Sequence, residues 1–326
     1  MTKERHPANY RTDLTLEAIL TFYDHTSDKR LLSYVREYIR NRGVHPGGAV
    51  SYHSQPFCCI TFELFSRTGE KEFIQPFLDE TDKYRKEAVR DKDGAVRHTS
   101  RNPRGILIDY LQDYASRMAK AGYLSRDTTF FDECVQQYQI HRRILRNAKT
   151  GLWSQGRGWL QDPCELSPGA WSRGHGWLIR GMVDSLRYLP PESKWSKTMR
   201  GMLEELATDL LKYQDEDGMW HQLLHLPFCR SFPESSGTAL VSYNISRAIK
   251  EGYLKGAKFE QAVHKAVAAL EKCVTLEGVV LHACKGPGPL YSIDSYVNKT
   301  AAPDDPHGAP TLIFAAIGGM LLEERN

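Results

Sequence analysis

The feature that most restricts the fold of this chain is a long series of helical segments with almost no strand pattern between them. Residues 278–283 and the turn-rich stretch 285–298 could hold a short hairpin or an irregular loop. The sequence therefore predicts an all-α fold. Apolar residues recur at helical spacing through eleven segments of the 326 residues, roughly 13–25, 29–41, 55–67, 70–89, 105–121, 126–146, 175–188, 193–214, 236–252, 256–273 and 309–323.

The helical segments alternate in character along the chain. Every second segment is rich in small and apolar residues and follows a polar or aromatic cluster, which we call a knot. The segments between carry Lys, Glu and Arg on one face, as solvent-facing helices do. Six apolar helices inside an amphipathic ring form an (α/α)6 barrel, and all six knots would lie at one mouth. The knots are NYRTD (9–13), SYHSQPF (51–57), NPRGILID (102–109), WSRGHGW (171–177), FPESSGTA (232–239) and DDPHGAP (304–310).

Eleven helices are one fewer than a double ring of six requires. The unfilled position falls before the first knot, so we expect one barrel domain over residues 1–326 that lacks the first outer helix. An apolar strip beside the first inner helix would then be exposed or covered by a partner subunit. A homodimer is one way to cover it.

Charge and the amino terminus exclude several classes of protein. The chain has 43 Lys and Arg against 40 Asp and Glu, a net charge of +3, so neither nucleic acid nor a membrane surface is an expected partner. Neither a signal peptide nor a membrane-spanning run is seen, which makes a cytoplasmic location the expectation. The seven cysteines fit neither a disulfide framework nor zinc spacing, and no metal or cofactor is expected.

The fourth knot has the composition of a sugar-acid pocket. Trp171 and Trp177 offer flat stacking surfaces, Arg173 offers a fixed fork of donors, and two glycines let the backbone come close to a ligand. The alternative is a helix start whose tryptophans belong to the core. The segment alone leaves both interpretations open.

Several longer motifs identify a family that the chain resembles. They are WSRGHGWLIRGMVDSLRYLP (171–190), PESSGTALVSY (233–243), TGLW (150–153), DGMWHQLL (217–224) and DDPHGAPTLIFAA (304–316). In order and spacing they resemble the unsaturated rhamnogalacturonyl hydrolases of glycoside hydrolase family 105, with the unsaturated glucuronyl hydrolases of family 88 as more distant relatives. The resemblance implies an (α/α)6 barrel that removes a 4,5-unsaturated uronic acid from the non-reducing end of an oligosaccharide released by a lyase.

The reaction implied by the resemblance needs one carboxyl that acts twice. An acid protonates the double bond at C4, and the resulting carboxylate helps water to add at C5. Asp109 aligns with the catalytic aspartate of the family. The alternative from the sequence alone is a carboxylate in a first helical turn, where it favours the helix dipole.

The resemblance also assigns substrate contacts. Arg173 is expected to bind the substrate carboxylate through two parallel hydrogen bonds. Trp171 and Trp177 would stack on the sugar, and Tyr10 lies where the family places an aromatic residue. His307 is expected to contact the substrate, with a hydrogen bond to a loop carbonyl as its alternative.

Departures from the family surround the double bond. His53 falls at or near the position of a second active-site aspartate, and we expect it to position the water; the alternatives are a different substrate or loss of the activity. Gln155 replaces a histidine and is expected to bind substrate, while Leu107 replaces a tryptophan. His175 and Glu234 are interpreted as structural.

Two other functions remain open at this point. One is a sugar-binding barrel that has lost its chemistry. The other is a conventional inverting glycosidase, which needs two carboxyls roughly 6.5–9.5 Å apart. Asp109 with Asp113 or Glu234 would be its candidates.

Overall fold

The computed structural model describes residues 10–42, 59–98, 105–159 and 162–323. Each of the eleven predicted segments contains a helix, so the all-α prediction is confirmed. A twelfth, five-residue helix lies in the stretch expected to be a loop or hairpin. In these ranges the helices are α1 Tyr10–Thr26, α2 Lys29–Arg42, α3 Ile60–Thr68, α4 Ile74–Glu87, α5 Tyr110–Ser125, α6 Thr129–Leu145, α7 Ser172–Leu186, α8 Lys194–Leu211, α9 Ser235–Lys250, α10 Ala257–Glu271, α11 Ile293–Val297 and α12 Gly308–Glu323.

Four two-residue strands form two antiparallel pairs. β1 (Ile106–Leu107) pairs with β2 (Gly156–Arg157). β3 (Ala283–Cys284) pairs with β4 (Ala301–Ala302). The expected hairpin is therefore found in part, because its second strand lies beyond residues 285–298 rather than within them.

The chain divides into two compact units, Met1–Ala88 and Val89–Asn326. In the first unit, α1 packs against α2 and α3, and α3 packs against α4. The position of the expected missing outer helix, before Tyr10, lies outside the described residues. A single domain and a homodimer both stay predictions. The core of this unit is formed by Leu16, Leu20, Val35, Ile39, Ile60, Leu64 and Phe73.

In the second unit the apolar helices are the inner ones. α5, α7, α9 and α12 pack side by side in that order, while α6 and α10 pack on α5 and α9. All 15 residues of α7 are buried. Its glycines allow this close approach, since a Cβ at Gly181 would lie 2.4 Å from the Tyr138 hydroxyl and one at Gly176 would lie 2.6 Å from Leu240. The predicted alternation of helix character thus corresponds to burial.

The same tight turn follows each of the outer helices of this unit. Each turn is closed by an isolated antiparallel bridge, and each contains a glycine with a left-handed φ, which side chains disfavour. The TGLW and DGMW motifs are two of these turns, and they return the chain toward the next inner helix. The bridges are Arg146↔Trp153, Gln214↔Trp220 and Val274↔Val280, with Gly151 at φ 77°, Gly218 at 102° and Gly278 at 83°.

None of the helices in the described ranges has the length and apolar character that a membrane crossing requires.

Candidate active site

Four of the six knots meet at one end of the second unit. The backbone of Gly174 lies against Asp109, since a Cβ there would be 3.0 Å from Asp109 Oδ1. Ser172 Oγ donates to Glu234 Oε2 at 3.3 Å. The charge of Arg173 acts on Asp305. The third, fourth, fifth and sixth knots therefore contribute to one site.

The other two knots cannot be added to this site. Tyr10 begins α1 in the first unit, where the Arg11 guanidinium lies 5.6 Å from the centre of its ring. His53 lies outside the described residues. Their predicted roles in substrate binding and catalysis stay predictions.

Short backbone links position the carboxyl of Asp109. The N–H of Ile108 donates to the carbonyl of Gln155 at 2.9 Å, which extends the pairing of β1 with β2 up to the start of α5. Asp109 stands at the N-cap position of α5, but its φ of −59° and ψ of −29° are helical and its side chain makes no capping hydrogen bond. The carboxyl is therefore not used to cap the helix.

One oxygen of the buried Asp109 carboxyl has no hydrogen-bond partner among the described residues. The residue is 7% exposed, and the oxygen is Oδ1. Burial raises the pKa of Asp109 to about 7, although the charge of Arg173 and a backbone hydrogen bond act to lower it. A carboxyl with this pKa is partly protonated at neutral pH, so it can give up a proton and take one back.

Arg173 presents one occupied side and one open edge. Its Nη1 donates to Ser236 Oγ at 2.9 Å and to the carbonyl of Cys284 at 2.8 Å. Its Nε and Nη2 are buried and have no hydrogen-bond partner among the described residues. Because these two nitrogens share one edge of the guanidinium, they can bind both oxygens of a carboxylate. Buried donors are rarely left unpaired, so this edge indicates a ligand site.

The two tryptophans of the fourth knot lie beside cations. The guanidinium carbon of Arg173 is 4.7 Å from the centre of the Trp171 ring, and that of Arg180 is 5.6 Å from the Trp177 ring. Both indoles are buried. Trp171 thus holds Arg173 in place, and stacking of either ring on a sugar stays a prediction.

His175 is a structural residue, as interpreted from the sequence. Its Nε2 accepts from the N–H of Trp153 at 3.0 Å, so Nδ1 carries the proton and donates to the carbonyl of Trp171 at 2.8 Å. Burial lowers the pKa of His175 to about 4, against the bond to Trp171, and the ring is neutral. His307 is buried with Nδ1 2.5 Å from Asp305 Oδ1, and its contact with substrate stays a prediction.

Glu234 belongs to the scaffold. It is the N-cap of α9, where its Oε1 accepts from the N–H of Ser236 at 3.1 Å and of Cys284 at 2.9 Å. Its Oε2 accepts from the N–H of Gly237 at 2.6 Å. Because both carboxylate oxygens are engaged, Glu234 does not supply the second carboxyl of an inverting glycosidase.

Asp113 lies beside a cation of its own helix. It lies one turn along α5 from Asp109, fully buried, with Arg117 Nη2 3.6 Å away. Burial raises the pKa of Asp113 to about 7, against the charge of Arg117.

No group of three His, Cys, Asp or Glu side chains in the described part of the chain could hold a metal ion.

Gln155 is engaged at both ends of its amide. Its Nε2 donates to the carbonyl of Pro287 at 2.9 Å, and its Oε1 accepts from the Tyr296 hydroxyl at 2.6 Å. The side chain is 1% exposed. The structure thus places Gln155 as an anchor for residues 285–298, and its predicted contact with substrate stays a prediction.

Sequence reasoning missed several residues of the site. Ser236 and Asp305 lie inside knots, so their position was indicated but their role was not. Burial acts to raise the pKa of Asp305, but the hydrogen bond from His307 and the charge of Arg173 lower it below its ordinary value. Tyr296 lies in the turn-rich stretch and Cys284 directly before it, where no periodic pattern points to either residue.

Comparison with known proteins adds a family and a fold. The model described as Glycosyl Hydrolase Family 88 matches residues 2–320. An unsaturated 3S-rhamnoglycuronyl hydrolase of Formosa agariphila is 26% identical over 134 residues, 41% of this chain and 31% of that protein. The enzyme of the same name from Alteromonas sp. (strain LOR) is 29% identical over 185 residues, 56% of this chain and 38% of that protein. The matched parts span about a third of these two relatives.

Solved structures show the fold. A possible member of the GH105 family from Salmonella enterica has a TM-score of 0.83 at 23% identity, covering 97% of this chain and 83% of that chain. A family 105 glycoside hydrolase from C. acetobutylicum has a TM-score of 0.83 at 23% identity, covering 95% and 93%. An unsaturated glucuronyl hydrolase specific for heparin has a TM-score of 0.75 at 13% identity, covering 97% and 86%. The predicted (α/α)6 barrel fold is confirmed.

Proposed function

Because the chain belongs to glycosyl hydrolase family 88, we propose that it removes a 4,5-unsaturated uronic acid from the non-reducing end of a lyase-generated oligosaccharide. The observation that supports this most directly is that two buried donors of Arg173 and one buried oxygen of Asp109, all in the same site, have no hydrogen-bond partner among the described residues. The names of the two curated relatives, both unsaturated 3S-rhamnoglycuronyl hydrolases, point to the same class of substrate.

Arg173 orients the substrate. Its Nε and Nη2 bind the carboxylate attached to C5, which brings the C4=C5 bond to the side of Asp109. The substrate carboxylate also offsets the positive charge that lowers the pKa of Asp109. With that charge compensated, the carboxyl of Asp109 is more fully protonated in the complex than in the free protein.

Asp109 then acts in two steps. Its proton is transferred to C4, and the positive charge that develops at C5 is shared with the ring oxygen. Water adds at C5 and gives a proton to the Asp109 carboxylate, which restores the acid and leaves a hemiketal. The bond from C5 to the ring oxygen breaks to form a ketone, and the hemiacetal at C1 releases the neighbouring sugar. One carboxyl with a pKa near 7 serves both proton transfers.

The test uses lyase-digested uronate polysaccharides as substrates. We expect the absorbance of the conjugated double bond to disappear as the neighbouring sugar is released, and a reaction in D₂O to place deuterium at C4. A conventional glycosidase would release a product that keeps both the double bond and its absorbance. Sugar release with unchanged absorbance would therefore contradict the proposal.

A further inference from the structure

A short proline-rich segment lies against the open edge of Arg173. Residues 285–290 read Lys-Gly-Pro-Gly-Pro-Leu, and we call them the strap. Just before the strap, the carbonyl of Cys284 accepts from Arg173 Nη1 at 2.8 Å. A Cβ at Gly286 would lie 2.8 Å from Arg173 Nη2. The strap backbone therefore touches one of the two nitrogens that the proposed substrate carboxylate needs.

The middle and the end of the strap are attached through side chains. Pro287 and Pro289 have no N–H to donate, so every second peptide of the strap lacks a backbone donor. Among the described residues, the hydrogen bond that holds its middle is the one from Gln155 Nε2 to the carbonyl of Pro287. At its end, the N–H of Leu290 donates to the Tyr296 hydroxyl at 3.1 Å. One side-chain network thus fixes the middle and the end of the strap. Its first residue is held separately, because the N–H of Lys285 donates to the carbonyl of Thr300 at 3.4 Å.

The groups at the two ends of this network determine which atom donates and which accepts in each hydrogen bond. Since the Tyr296 oxygen accepts from Leu290, its own hydrogen goes to Gln155 Oε1, 2.6 Å away. Since the carbonyl of Pro287 can only accept, Gln155 must present its amide nitrogen there. Tyr296 is 0% exposed and Gln155 is 1% exposed, so water does not compete for these bonds.

We propose that Tyr296 and Gln155 form a latch that closes the strap over Arg173, and that the strap opens to admit the uronate and closes on it. Arg173 is 1% exposed and Asp109 is 7% exposed, so both are covered in this conformation, and the strap is one of the segments that cover Arg173. Tyr296 and Gln155 act as positioning residues. The identity of the ligand rests on the proposed function, whereas the latch rests on the contacts alone.

Hydrogen exchange tests the latch without any substrate. Tyr296→Phe removes the hydroxyl that joins Leu290 to Gln155, and we expect strap amides to exchange about tenfold faster, as expected for one lost hydrogen bond. Tyr291→Phe is the matched control. Its ring is exposed, and its hydroxyl donates to the carbonyl of Trp159 at 2.9 Å rather than to the strap. Equal strap exchange in the two variants overturns the latch, and so does acceleration that extends equally through α7.

A glycine pair tests closure on Arg173. Neither Gly286 nor Gly288 has a left-handed φ, so alanine is compatible with the backbone at both positions. Gly286→Ala pushes a methyl group against Nη2, whereas a Cβ at Gly288 meets nothing within 4 Å. We expect Gly286→Ala to raise KM for an unsaturated uronyl disaccharide about tenfold with kcat nearly unchanged, and Gly288→Ala to behave like the parent protein.

The two experiments separate failure of the latch from failure of the proposed function. Equal KM values for the two alanine variants overturn closure on Arg173. If the parent protein hydrolyses no unsaturated uronide, the proposed function fails, and the exchange of the Tyr296→Phe strap still decides whether the latch exists.

Discussion

Two aspartates of the second unit, Asp109 and Asp184, are buried to the same extent, but their pKa values are shifted in opposite directions. Each is 7% exposed. Burial raises the pKa of Asp109 to about 7. Burial acts on Asp184 in the same direction, but Arg247, Lys120 and Arg180 lower its pKa far below the ordinary value.

The difference lies in direct contacts. Asp184 Oδ1 is 2.8 Å from Arg247 Nη1, and Gln112 Nε2 donates to its Oδ2 at 3.2 Å. Asp109 Oδ1 has no such partner in the described residues, and Arg173 acts on the carboxyl only as a nearby charge. Burial alone therefore does not set the pKa of these two carboxyls. The ion pair with Arg247 lowers the pKa of Asp184, whereas the charge of Arg173 does not overcome the effect of burial at Asp109.

The largest expected effect is on turnover by Asp109→Asn. The amide keeps the size of the carboxyl but has no proton to transfer, so kcat should fall by about 10²–10⁴ while substrate binding survives. The loss of double-bond absorbance measures kcat, and calorimetric titration measures substrate binding. Asp113→Asn is the control, one turn along the same helix, and should keep turnover within about tenfold once its folding is verified. A dead Asp113→Asn beside an active Asp109→Asn would reverse the assignment of the acid.

Asp184→Asn should instead reduce stability. It leaves the buried Arg247 without its ion partner, and loss of one member of such a pair costs about 3–5 kcal/mol of unfolding free energy. Because the folded pKa of Asp184 is depressed, its contribution is present above the unfolded value and is lost as the pH falls below it.

Asp109→Asn is expected to change stability in the opposite direction. The folded pKa of Asp109 is raised, so the parent protein loses stability as the pH rises toward about 7 and stays at that lower level above it. The variant lacks this loss and should be at least as stable as the parent at pH 8. Urea unfolding at pH 5 and pH 8 measures both variants. A stable Asp184→Asn together with a destabilised Asp109→Asn would break the contrast.

A smaller effect is expected from Arg173→Lys. An ammonium keeps the charge but cannot form two parallel bonds, so KM should rise about 10- to 100-fold with a smaller change in kcat. Arg142→Lys is a control on the outer helices, where Arg142 forms a two-bond pair with Glu205. An unchanged KM for Arg173→Lys would place the substrate carboxylate elsewhere.

The smallest effect is on the pH profile of the unaltered protein. The first step needs protonated Asp109, whose pKa is about 7 in the free protein. We expect kcat/KM to be level about one pH unit or more below pH 7 and to fall about fivefold between pH 7 and pH 8. An increase of kcat/KM through pH 7 would mean that Asp109 acts first as a base.

Much of the fold could be predicted because burial follows local pattern. Apolar residues at helical spacing and the small residues of α7 identified the inner helices. The folded protein shows why two of these small residues are glycines, since a Cβ at Gly176 or Gly181 would collide with a neighbouring helix. The order of the motifs led to Asp109 and Arg173. The division into two units at Ala88 has no comparable signal in the sequence.

By itself, the sequence determined the helices, their inner or outer character, and the residues able to serve as acid and as carboxylate binder. These depend on periodicity and on side-chain chemistry, which are local properties. Only the tertiary structure decided that Asp109 Oδ1 has no hydrogen-bond partner among the described residues while Asp184 has an ion partner, and that Gln155 holds the strap through Tyr296, 141 positions away. Contacts between residues so far apart are set by how helices and loops pack, and no local pattern encodes them.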